Sequence, residues 1–356
     1  MTSPLQPILE LWNGLRSGRV DLPQSTVFPP AQCTPKEEIG IPITKDKMYF
    51  TIRVNEMYLA ENRQWWSEYD PLVLFVAEFN YGKERATIPA VIGPNLIRRQ
   101  SEADKAKHGV VLLDSRVVGP QPYRGGDVDV SVGLYQVKRA SYARTLLQVM
   151  DTLSTGLGPA GEMQAVAKVG QALLQGVEGL LGLEETRYLA GERLALSTSP
   201  LDPFKSGYAA LIAPPATDVG YLSIRDRRLF IQDNDKLVPY RNSDYVLFSV
   251  VGQPSRGDEG VFPFFSLKTE ALKALWEGEE GVKRGKALLI AAYQQMRTSP
   301  DITATEAGLL FDDWLREFQA EQELAERTRS MPVDARNRPL SADAGELNKA
   351  VRLLAL

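Results

Sequence analysis

The sequence predicts an α+β fold: an antiparallel β-sandwich interrupted by a helical-hairpin insertion and followed by a helical C-terminal region. Three observations predict it. From residue 46 apolar and polar residues alternate with period two, in short runs bounded by Gly, Pro, Asn and Asp. Residues 140–183, and everything after 266, change to helical spacing. The 356-residue chain is 44% hydrophobic and 24% charged, so it has the apolar content to bury a core.

Residues 1–45 read as an N-terminal arm. Pro4, Pro7, Pro23, Pro29, Pro30, Pro35 and Pro42 interrupt regular pairing, so extended coil is expected. One short amphipathic helix fits Ile8, Leu11, Trp12 and Leu15, with Trp12 as a docking residue. The sandwich is expected over 46–266. Its first strand, MYFTIRVNEMYLA, sets Tyr49, Thr51 and Arg53 opposite Phe50, Ile52 and Val54. A polar loop, ENRQWWSEYDP, leads to the strand LVLFVAEFNYG, then ATIPAVIG and HGVVLLDSRVVG. GGDVDVSVGLYQVKR puts Val128, Val130, Val132 and Leu134 on one face, and Asp127, Asp129, Ser131 and Gly133 on the other, as in a half-buried sheet. Strands return as ETRYLAGERLALS, GYAALIAP, GYLSIRDRRLFI and DYVLFSVVGQ.

Within the insertion, Tyr142, Leu146, Val149 and Leu153 share one helical stripe, and Met163, Val166, Val169, Leu173, Val177 and Leu180 another. The region 267–328 reads as successive helices. The last opens on a capping box, Thr303 and Glu306, and aligns Phe311, Trp314 and Phe318. Residues 329–356 read as a polar linker and a final helix with Leu347, Val351 and Leu354 on one stripe.

Side-chain chemistry narrows the function classes. Cys33 and His108 are each alone in the sequence. That excludes an intrachain disulfide, a Ser-His-Asp triad lacking His108, and a multi-histidine or Cys/His zinc site. A cytoplasmic, reducing location is the expectation. The net charge of −4 gives no bulk attraction to nucleic acid or anionic lipid. Gly156, Gly158 and Gly161 fit G-x-G-x-x-G, but a helical pattern precedes them where a nucleotide loop needs a strand, so a helical corner is the reading and no cofactor is expected. Gly170, Gly176, Gly179 and Gly182 weaken the second hairpin helix; close packing is the favoured compensation, membrane insertion the other.

Carboxylates are the remaining candidates for chemistry. Asp127 and Asp129 share a strand face, Asp233 and Asp235 crowd a turn with Asn234, and Glu56, Glu61 and Asp70 flank the tryptophan loop. Each set offers oxygens to Ca²⁺ or Mg²⁺. Solvated carboxylates are the plainer reading, so no metal is assigned. Trp65 and Trp66 form either a binding surface or a cap on the sheet. Arg225, Arg227 and Arg228 fit charges that block edge-to-edge aggregation.

The block from Tyr49 to Pro89, with TIRVNEMYLA, Asp70-Pro71, LVLFVAEF and GKERATIP, resembles the opening of a C2-like β-sandwich. Only Asp70 matches the loop aspartates of that family, so the resemblance implies the fold without calcium-dependent lipid binding. PYRGGDVDVSVGLYQVKRASYARTLLQVMDTLS is similar to segments of uncharacterised bacterial proteins of conflict and defence systems. The expectation is a non-catalytic interaction or scaffold protein in a bacterial, antiviral-defence type assembly. Its partners would be other proteins or a second copy, docked through Trp12, Trp65, Trp66, Leu347, Val351 and Leu354. The alternatives are a C2-like membrane-associating module and a carboxylate-metal hydrolase.

Overall fold

The computed structural model describes residues 24–35, 39–60, 63–64, 67–93, 110–138, 186–196, 203–214 and 219–330. Over these the chain is mixed α and β, mostly strand, with several antiparallel sheets and a helical C-terminal part. It divides into two compact units, Met1–Arg256 and Gly257–Leu356. The described strands, in chain order, are β1 (Gln24–Phe28), β2 (Cys33–Thr34), β3 (Tyr49–Tyr58), β4 (Arg63–Gln64), β5 (Ser67–Tyr81), β6 (Glu84–Ile92), β7 (Val110–Pro122), β8 (Asp129–Lys138), β9 (Thr186–Ala195), β10 (Gly207–Ile212), β11 (Leu222–Arg225), β12 (Arg228–Asp233), β13 (Lys236–Pro239) and β14 (Tyr245–Gln253).

One sheet runs β1-β10-β14-β3-β7, antiparallel throughout. A second runs β4-β5-β8-β9, with β6 also paired to β5. A third, β13-β12-β11-β2, is a meander whose only parallel pairing among the described strands is β2 with β11. Two apolar clusters account for the burial. Phe50, Ile52, Val54, Leu211, Val246 and Phe248 of the first sheet share a core with Val73, Phe75, Phe79, Val130 and Val132 of the second. Edge-to-face pairs join the two sheets, Phe50 with Phe79 at 5.1 Å and Phe75 with Phe248 at 5.6 Å between ring centroids. On its opposite face the first sheet contributes Phe28, Tyr58, Tyr208, Tyr245 and Leu247 to a cluster with Leu222, Ile224, Leu229 and Tyr240 of the meander and its flank. The first sheet is therefore buried on both faces, and its strands β3 and β14 carry almost no exposed residue over their shared length.

Several expectations need correction. Residues 24–34 of the expected arm contain an edge strand of the first sheet and a meander strand, because their prolines fall at strand ends: Pro29 and Pro30 after β1, Pro35 after β2. The polar loop before residue 72 is partly strand. Gln64 pairs with Ser67, and Tyr69 with Lys138, so β5 starts five residues early. The segment GYLSIRDRRLFI is a hairpin rather than one strand. Asp226 and Arg227 turn it with φ of 47° and 63°, and Asn234 and Asp235 make the next turn with φ of 43° and 62°. Two consecutive left-handed residues give the twist a two-residue hairpin needs. The sheet of β5 and β8 is not half-exposed either: Leu72, Leu74 and Val76 are as buried as the Val73, Phe75 and Ala77 that alternate with them. The expected hairpin at 140–183 lies outside the described residues.

In the C-terminal unit α1 (Pro263–Ala274), α2 (Glu279–Thr298) and α3 (Ala304–Ser330) share one cluster of Phe264, Leu289, Met296, Trp314 and Phe318. Pro263 opens α1, where a missing N–H costs nothing. The Thr303 hydroxyl accepts from the Glu306 amide at 3.1 Å, so the expected cap at the start of α3 is present. Phe265 packs edge-on to Trp314 at 5.0 Å, and Tyr293 stacks on Phe311 at 4.3 Å. The α1–α2 crossing depends on glycine: a Cβ on Gly281 would lie 2.0 Å from the Ala274 carbonyl oxygen. We expect Gly281→Ala to cost about 1–3 kcal/mol through overpacking. Gly308→Ala, whose added carbon meets nothing within 4 Å, is expected to gain roughly 0.5–1 kcal/mol. Chemical denaturation of the full chain followed by helical circular dichroism checks both signs.

Candidate functional site

The most heavily determined polar site of the described residues is at Glu56, in the middle of β3. The β3–β14 register pairs Leu247 with Glu56 and Phe248 with Val54, leaving Asn55 as an extra residue. This bulge resets the alternation. Val54 and Met57 both enter the core between the first two sheets, while Glu56 and Tyr58 turn toward the meander. The Glu56 side chain is 0% exposed. Its Oε2 accepts from the Leu229 amide at 2.8 Å and its Oε1 from Arg241 Nη2 at 3.2 Å. Arg241 also donates to the Tyr240 carbonyl and the Tyr245 hydroxyl, both at 2.6 Å, and its guanidinium lies 4.8 Å from the Tyr58 ring centroid. Burial, and then the Glu56 charge, push the Tyr245 phenol well above its ordinary range; burial also raises Tyr58. Both Glu56 oxygens are met by donors from the meander side, so the arrangement is a structural tie between two sheets.

A second ion network lies on the sheet of β5, β6, β8 and β9. Asp129 accepts from Arg85 at 2.5 Å and from Arg193 at 3.0 Å, and Glu78 from Arg193 at 3.1 Å. Two acids thus share two guanidinia, as the register pairing Glu78 with Asp129 demands. Burial raises the Glu78 carboxyl despite both arginines, which act to lower it. Its Oε1 is buried without a hydrogen bond.

These contacts decide where the sequence-nominated residues fall. Asp127 and Asp129 do not converge: Asp127 is exposed ahead of β8, and Asp129 is held by the arginines. Asp233 precedes an exposed two-residue turn and Asp235 is part of it, and no group of three His, Cys, Asp or Glu among the described residues could hold a metal. Asp70, which the C2-like resemblance places in a loop, is a buried residue inside β5 paired with Val137. Trp12, Trp65, Trp66, Glu61, His108, Leu347, Val351 and Leu354 lie outside the described residues. Cys33 is fully buried, and burial pushes its thiol up to about 11 against the pull of Arg225. It is thus a protonated core residue rather than a nucleophile. Sequence reasoning missed the three arginine partners, Arg241, Arg193 and Arg85. The visible signal was the adjacent polar pair Asn55–Glu56 inside an alternating strand, which marks a bulge.

A cavity of about 330 Å³ opens beside β1 and β10. Val27, Phe28, Ile39, Leu196, Tyr208 and Val250 supply its apolar walls, and Lys205 the one charged side chain. No family model matches the sequence, and no curated protein matches it.

Two measurements test the networks. Arg241→Ala strands a buried carboxylate and is expected to cost about 3–5 kcal/mol, whereas Glu56→Gln combined with Arg241→Met should cost far less. Burial holds the Glu78 carboxyl above the ordinary value of 4.5 in the folded state, so the folded state binds its proton more tightly than the unfolded. Its contribution to stability is therefore lost as pH rises from about 4.5 through the folded-state value. Denaturation of wild type and Glu78→Gln over that window should show the variant gaining on wild type as pH increases.

Proposed function

We propose that this chain is a non-catalytic interaction protein, a component of a bacterial multi-protein assembly of the antiviral-defence type, working in the cytoplasm. One observation supports the reading above others. The acids whose burial or partners suit them to chemistry, Glu56, Glu78 and Asp129, are each neutralised by arginine rather than aimed into the cavity. The frame we propose is a C2-like β-sandwich, extended by the meander, with a helical hairpin at 140–183. The shared core of the two larger sheets supports the sandwich. The pairing of Val137 with Thr186 supports an insertion, since the chain leaves β8 and returns to β9 at neighbouring positions. No helix among the described residues is long and apolar enough to cross a membrane. The apolar cavity beside β1 is where a side chain of a partner protein would seat.

The reading is tested with purified full-length protein against phosphodiester, carboxyl-ester and peptide substrates, with Mg²⁺ or Mn²⁺. No turnover above buffer is expected. Metal-dependent turnover that Asp129→Asn abolishes, while the variant stays folded, would overturn it.

A further inference from the structure

Arginines face arginines at two places in the first unit. On the meander side of the first sheet, Arg53 of β3 is directly opposite Arg116 of β7. In the hairpin, Arg225 of β11 is directly opposite Arg228 of β12. Like charges at opposed positions are destabilising, because the side chains stand about 5 Å apart at their Cβ atoms. The hairpin tip reaches the first pair: Arg227 forms an ion pair with Asp114, which also receives Arg53 at 3.6 Å. Asn55 donates to the same carboxylate at 3.1 Å, so Asp114 already has three partners. Arg116 and Arg228 are exposed, and among the described residues neither forms an ion pair with a carboxylate. The Arg225 guanidinium donates to the Thr34 hydroxyl, a neutral partner. Arg53 and Arg227 thus share Asp114, with Arg116 opposite Arg53, in a chain whose net charge is −4.

Protection against edge pairing does not explain this arrangement. Arg53 lies in an interior strand, between β14 and β7. Its neighbours on the same face, Thr51 and Ser249, are buried and polar. All three cations are arginine, whose planar fork matches an oxyanion with two parallel N–H donors.

We propose that Arg53, Arg116 and Arg227 form a binding site for phosphoryl oxyanions, supplied either by a free polyphosphate or by the backbone of a nucleic acid. The bound anion offsets the repulsion between the opposed arginines and needs no stacked base, so interleaved aromatic residues are not required. The interaction is electrostatic and weakens with salt.

Calorimetric titration of the full chain with sodium tripolyphosphate, and anisotropy with labelled duplex DNA at about 50 and about 200 mM salt, test the site. Wild type is expected to bind at least one probe, with salt-dependent affinity. Arg116→Glu and Arg227→Glu should each weaken binding by about tenfold or more, the scale of one charge-assisted contact. Lys236→Glu makes the same charge change at the other hairpin turn and should leave binding within about twofold. Tripolyphosphate binding without a gain on longer duplexes assigns the site to a free polyphosphate. Affinity that rises with duplex length assigns it to a nucleic-acid backbone. Absence of binding by wild type to both probes, or equal loss in Lys236→Glu and Arg116→Glu, overturns the proposal. Circular dichroism of each variant separates lost binding from lost folding.

Discussion

A single buried carboxylate sets the terms for the first unit. Glu56 sits at the centre of the most buried sheet, and a charge there is tolerated only if donors come to it. They come from one direction. The Leu229 amide, the Arg241 guanidinium and, through it, the Tyr245 hydroxyl belong to the meander, to the connection that follows it and to β14. The meander is therefore held over the first sheet at one registration. Tyr58, Tyr240 and Tyr245 then fill the space around the ion pair with rings whose polar ends reach the network. The bulge at Asn55 is the backbone device that allows this. Without the extra residue, Glu56 would face the phenylalanine core and Met57 would face the arginine.

This division gives the first sheet two unlike faces. One is dry and aromatic and packs on the second sheet. The other mixes tyrosines and small apolar residues with the ion pair, then grades along the row Phe28, Tyr208, Ser249, Arg53 and Arg116 from apolar to charged. The order along that row matches the cover: the apolar end joins the cluster with the meander, and the charged end is open to solvent. Among the described residues, unpaired positive charge therefore collects at the β7 end, and buried polarity at the centre.

Much of the strand content was legible in the sequence because period-two alternation survives wherever one face is polar. Phe50, Ile52 and Val54 are core residues as their spacing requires, and Thr303 caps α3 as its motif requires. The errors share a physical cause. Alternation presumes an uninterrupted strand and water on one side. At Asn55 the first assumption fails; at Leu72–Val76 the second does. Asp226-Arg227 lacks the glycine that usually announces a two-residue turn, so the hairpin read as one strand. Paired aspartates suggested metal ligands because the arginines that bind Asp129 come from β6 and β9, far from it in sequence. Long-range partners of this kind leave no local pattern.

The strand order of the first sheet also governs how the molecule is made. β14 sits between β10 and β3, so β3 gains its inner neighbour only after residue 245 has been synthesised. At about 5–20 residues per second, that leaves the apolar strand β3 waiting roughly 10–40 s on a growing chain. Pairings of such sequence separation also fold slowly once synthesis ends. A nascent chain of this design carries unpaired, sticky strands through most of its translation, and its yield in a cell depends on whatever shields them until the closing strand emerges.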